Sequence, residues 1–199
     1  MEDMVDIVAV CLRDELSLGY PVRVLLHGRT GSGKTHAARA IAAACSAKTG
    51  CDVVLVDVCL DGPAQCAEAV WGVVQDAGRA GVCLVLHGME CMPAPHQHQV
   101  ADAIASAGKG VHIVAETLCR DSIATCMSSV LGVHEVSMDA DRAAAILQAR
   151  HCGPEGAAAV AAAARLAADQ APTNLHTATR LFRDTFLPFK QLHTPAVAI

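Results

Sequence analysis

Gly28-Arg29-Thr30-Gly31-Ser32-Gly33-Lys34-Thr35 is the stretch on which the fold turns. It matches G-x-x-x-x-G-K-[ST] at every fixed position, the pattern of a phosphate-binding P-loop. The flanks agree with it. Val22-Arg23-Val24-Leu25-Leu26-His27 reads as a buried strand, and His36 to Lys48 reads as an Ala-rich helix. A strand running through such a loop into a helix turns backbone amides and a helix N-terminus toward an anion, and the glycines leave room for it. On this reading Gly28, Arg29, Thr30, Gly31, Ser32, Gly33, Lys34, Thr35 and His36 line the phosphates of a nucleotide such as ATP. Lys34 reaches the β- and γ-phosphates, and the Thr35 hydroxyl ligates Mg²⁺.

Outward from the loop, continuous apolar strands alternate with helices. The strands are expected at 52–58, 82–86, 111–115 and 133–136, and the helices at 64–78, 99–107 and 122–127, with a loop over Met92 to His98. Met4, Ile7, Val8, Cys11, Leu12 and Leu16 recur at helical spacing ahead of the P-loop strand. This order predicts an α/β fold: an αβα sandwich on a five-stranded parallel sheet, with ligands at the carboxyl ends of the strands. From Asp139 the character changes to Ala-rich helices, one carrying Ala144, Ile146 and Leu147, one from Pro154 to Ala168, one from Pro172. The expected division is a nucleotide-binding core over 1–137 and a small all-helical lid with a tail over 138–199.

Composition bounds the function. The 199 residues are 53% hydrophobic and 18% charged, which suits one packed domain with an appendage and argues against disorder. A net charge of −5 is no general footprint for nucleic acid. No apolar run is long enough to span a membrane, and the acidic start lacks a signal peptide's basic residues. An intracellular setting, nuclear or cytoplasmic, follows as an expectation, and the ten cysteines are then reduced and buried. Cys91, His96 and His98, with His87 nearby, are spaced more loosely than zinc ligands.

The order of elements resembles the AAA+ family, an αβα core followed by a helical lid. Val24-Leu25-Leu26-His27-Gly28 with the P-loop is similar to its first strand and Walker A. Asp141-Arg142-Ala143-Ala144-Ala145-Ile146-Leu147 is similar to the start of its lid, and Thr173-Asn174-Leu175-His176-Thr177-Ala178 to its sensor-2 segment. The resemblance implies ATP and Mg²⁺ as ligands. It also implies work in a ring or partial ring of related subunits, with nucleotide between neighbours.

The hydrolytic parts of that family are degenerate here. Its third strand ends in Asp-Glu, whereas this one ends Val85-Leu86-His87-Gly88. Imidazole is a poor ligand for a hard cation, and glycine takes no proton. Sensor 1 corresponds to Glu116 or Thr117. The sensor-2 arginine falls on His176. Cys126 to Gly132 holds no arginine finger, and Arg120 is the nearest candidate. A finger is worth about 10³–10⁵ in rate. The resemblance therefore implies a subunit that binds ATP with weak or absent hydrolysis, inside a hetero-oligomer of origin-recognition or clamp-loader type that reaches DNA through the assembly. The alternative is an active ATPase using Glu116 or Glu90 as the catalytic carboxylate, or a small-molecule kinase with Asp57 as its acid. His87 is read as a strand-end residue bonded to a loop, and Trp71 as a packed helix residue.

Overall fold

The computed structural model describes residues 16–77, 81–151, 157–174 and 177–184. Most of the expected first helix, from Met4, and the segment from Pro188 lie outside them. The chain divides into two compact units: Glu2–Gly28 with Lys34–Val136, and Arg29–Gly33 with Ser137–Ile199.

The first unit is built on a parallel five-stranded sheet, β1 (Arg23–His27), β2 (Asp52–Asp57), β3 (Val82–His87), β4 (Val111–Thr117) and β5 (Gly132–Glu135), in the order β2-β3-β4-β1-β5. The helices are α1 (Lys34–Thr49), the single turn α2 (Val58–Asp61), α3 (Pro63–Asp76), α4 (Ala94–Ser106) and α5 (Thr125–Val130), with 3₁₀ turns at Met89–Cys91 and Arg120–Ser122. Strand alternation splits the core across the two sheet faces. Val24, Leu26, Cys83, Val85 and Val114 pack with Ala38, Ile41 and Cys45 of α1. Leu25, Leu84, Leu86, Ile113 and Ala115 pack on the other face with Val70 of α3, Ile104 of α4 and Met127 of α5. The fold class expected from the sequence is the one observed.

Several boundaries differ, each for a local reason. α1 starts at Lys34 rather than His36, directly after Gly33. Val58 leaves the second strand because the Asp57 carboxylate accepts the Cys59 N–H at 3.0 Å and caps a helical turn. The stretch expected as a loop over Met92 to His98 is largely helical. Pro95 falls in the first turn of α4, where a missing N–H costs no intrahelical bond. β4 runs on through Glu116 and Thr117, opposite Leu26 and His27 of β1.

The second unit contains α6 (Ala140–His151), α7 (Ala157–Gln170) and a helix over 177–184. Its interior is Ala143, Leu147, Val160, Ala164, Ala168, Ala178 and Phe182. Arg165 pairs with Asp141 on α6 and, at 3.0 Å, with Asp169 on its own helix. The 177–184 helix begins later than Pro172. Asn174 is its cap, its Oδ1 accepting the Thr177 N–H at 3.0 Å.

The cysteines depart from the expectation of uniform burial. The eight among the described residues are free thiols, and Cys45, Cys51, Cys66 and Cys83 are buried, but Cys59, Cys91 and Cys119 are exposed. Trp71 is 49% exposed rather than packed, and lines a groove of about 500 Å³ between α3 and α4.

Candidate nucleotide site

The loop between β1 and α1 has the backbone of a phosphate cradle. Gly31 and Gly33 take φ of 80° and 96°, and the Ser32 N–H donates to the Arg29 carbonyl at 3.2 Å. A Cβ on Gly31 would stand 2.6 Å from Cγ of Asn174, so this position is closed to any side chain. Asn174, in the segment similar to sensor 2, thus lies against the loop. His176, the residue expected there, lies outside the described residues. Ser32 is buried, and its hydroxyl has no hydrogen-bond partner among the described residues. An orphaned buried hydroxyl costs about 1–3 kcal/mol, and a phosphate oxygen is a fitting acceptor for it.

Lys34 and Thr35 open α1. The Lys34 ammonium donates to the Gly28 carbonyl at 2.7 Å. Burial lowers the Lys34 pKa, and the charges of Glu116 and Glu90 oppose that shift. The Thr35 hydroxyl donates to Oε2 of Glu116 at 2.8 Å, and Nδ1 of His87 lies 2.8 Å from Oε1 of the same carboxylate. Glu116 is 2% exposed, and both its oxygens are engaged. His87 therefore bonds to a neighbouring strand rather than to a loop. A cavity of about 120 Å³ opens beside these groups, lined by Thr35, Arg39, Asp57, His87 and Glu116 among others. Thr35 and Glu116 offer the oxygen donors that Mg²⁺ prefers, so the donor set fits that ion together with a nucleotide.

The other candidates occupy the following places. Glu90 accepts the Leu118 N–H at 3.0 Å, which ties the turn after β3 to the end of β4. Thr117 is buried and bonds to the Cys119 carbonyl at 3.2 Å. Arg120 is exposed in its 3₁₀ turn. Asp57 is occupied as the cap of α2. Cys91 pairs with Cys59, Sγ to Sγ at 3.3 Å, and that bond is the main cause that pushes the Cys59 thiol up to about 11. His96 and His98 sit on α4, and no group of three metal-binding side chains occurs among the described residues.

The connection of Glu116 to Thr35 and His87 was not legible as such. The sequence offered Glu116 as a sensor-1 residue or as a catalytic carboxylate. It lies within the strand and is turned to the hydroxyl of the P-loop threonine.

The fold is that of the AAA+ P-loop ATPases. The Orc1 protein of Aeropyrum pernix, in complex with DNA, superposes with a TM-score of 0.66 at 19% identity, over 97% of this chain and 60% of that one. A RuvB variant from Thermotoga maritima gives 0.70 at 16% identity, over 96% and 64%. A chain of the HORMA:CdnC:Trip13 complex of E. coli MS115-1 gives 0.57 at 17% identity, over 84% and 75%. The chain thus spans less than two thirds of the length of the Orc1 and RuvB structures. No protein-family model matches the sequence, and no curated protein matches it.

Proposed function

We propose that this chain binds ATP with Mg²⁺ as a hydrolysis-impaired AAA+ subunit, held between related subunits of a ring or partial ring. The observation that carries the reading is the loop over 28–35: a complete P-loop motif at a strand-to-helix turn, with a buried Ser32 hydroxyl that has no partner among the described residues. Impaired hydrolysis is supported by the end of β3. His87 and Gly88 stand where the resembling family has its metal-orienting and water-polarising acids. Of the two carboxylates that an active ATPase would draw on, Glu116 has both oxygens engaged by Thr35 and His87, and Glu90 accepts the Leu118 N–H. A role of origin-recognition or clamp-loader type, with DNA reached through the assembly, is favoured by the likeness to the Orc1 structure with DNA and to RuvB.

Thermal shift and calorimetry with ATP and ADP test this. Wild type is expected to be stabilised by either nucleotide, by about 2.7 kcal/mol at a hundredfold excess over Kd. Lys34→Ala should lose the response while keeping its fold, and phosphate release by wild type should stay at background. A wild type that ignores both nucleotides removes the binding reading. Brisk phosphate release by the isolated chain removes the impairment.

A further inference from the structure

The third strand of the sheet ends in a histidine where the nucleotide's metal calls for an anionic oxygen. The adjacent strand supplies one. β4 lies between β3 and β1, so a residue on it can reach both His87 at the end of β3 and Thr35 at the start of α1. Glu116 does so, with one carboxylate oxygen 2.8 Å from each partner. The register places it opposite Leu26, one residue short of the end of β1. A carboxylate that is 2% exposed is costly to bury without compensation, and here two donors and the nearby charge of Lys34 offset that cost.

We infer that Glu116 is the acidic positioning residue for the metal of a bound nucleotide, supplied from β4 in place of β3, and that His87 holds it in that position. The inference rests on the nucleotide-binding reading above and assigns the metal dependence of that binding. The Thr35 hydroxyl is the point of contact. It donates to Glu116 in the structure, so its oxygen lone pairs are turned away from the carboxylate and open to a cation. His87 donates through Nδ1, which fixes the carboxylate plane while adding no ligand of its own. Glu116 therefore acts on the metal and not on the attacking water. This explains how a chain with a damaged third strand can keep Mg²⁺-dependent binding without turnover.

Isothermal titration with ATP in Mg²⁺ and in EDTA separates the two claims. Wild type should bind ATP more tightly in Mg²⁺ than in EDTA. Glu116→Gln keeps the size of the side chain and one of its two acceptors, and removes its charge. It should lose about 10–100-fold of the Mg²⁺ increment and bind ATP in EDTA at least as well as wild type. His87→Ala should lose part of the increment. His87→Asn, whose amide can donate from nearly the same place as Nδ1, should restore it. If Glu116→Gln fails to fold, the two His87 variants carry the test alone. Equal Mg²⁺ increments in wild type and Glu116→Gln, or in His87→Ala and His87→Asn, overturn the assignment and leave nucleotide binding standing. No binding by wild type in either buffer overturns both.

Discussion

Gly88 follows His87 in the left-handed region, at φ 74° and ψ 35°, and a Cβ built on it would lie 2.6 Å from Cys59 Sγ. The family that the sequence resembles carries its water-polarising glutamate at this place. The backbone conformation here disfavours any side chain, and the sulfur of the exposed Cys59 would have to turn aside for one. A non-glycine residue in that region costs on the order of 1–3 kcal/mol, and displacing Cys59 adds to it. Gly88→Glu is therefore expected to lower unfolding free energy in urea by at least about 1 kcal/mol and to leave phosphate release at background. A variant that melts like wild type and turns over ATP would show that the loss at this position is chemical only. The sequence disclosed the missing carboxylate, because a glycine has no acid to offer. It did not disclose the conformation, since φ depends on how β3 turns into the Met89–Cys91 3₁₀ segment and on which neighbour lies above it.

α4 shows how an element can be half legible. Its apolar spacing from Gln99 onward is helical, and that part was read from the sequence. Pro93 and Pro95 made the preceding residues look like loop, yet both prolines sit where a helix start tolerates them. The missed turn contains Gln97, which is 1% exposed. Its amide donates to the carbonyls of Met92 at 2.7 Å and Ser122 at 2.9 Å, and its carbonyl accepts the Ala124 N–H at 2.6 Å. Gln97 thus ties the start of α4 to the segment between β4 and α5. Gln97→Met keeps the volume and removes all three bonds. It is expected to destabilise the protein by roughly 2–4 kcal/mol, since a stranded buried carbonyl at Met92 costs about 1–3 kcal/mol and the part-buried groups of Ser122 and Ala124 add less. Equilibrium urea unfolding measures this, and a loss below about 0.5 kcal/mol would mean that water satisfies these groups. No spacing rule pairs residue 97 with 122 and 124, because the contact depends on α4 and α5 lying side by side on one sheet face.

For the whole molecule, the strand-helix alternation and the P-loop were enough to give the sheet and its two covered faces. The site was legible in its contiguous part only. Lys34 and Thr35 are fixed by local sequence, whereas the meeting of Thr35, His87 and Glu116 depends on the order β3-β4-β1 and on register. The same tertiary placement buries one imidazole of the sheet unit, His112, and half-buries another, His134. His112 on β4 is 3% exposed, and its Nδ1 accepts the Val22 N–H at 3.0 Å. Burial, reinforced by the charge of Arg23, lowers its pKa from the ordinary 6.5. His134 on β5 is lowered by burial and then by His27. As pH falls through 6.5 the unfolded chain takes up protons on both rings that the folded chain refuses. Their contribution is therefore fully present above about pH 7 and is lost toward acid, by at most about 1.4 kcal/mol per pH unit for each ring. His112→Gln keeps an acceptor for Val22 and cannot titrate. It is expected to be less stable than wild type at pH 7.5 and to close part of that gap by pH 5.5, in urea unfolding at both values. Parallel loss in the two proteins would mean that the folded chain protonates His112 as readily as the unfolded one, which requires Val22 and Nδ1 to part at mildly acidic pH.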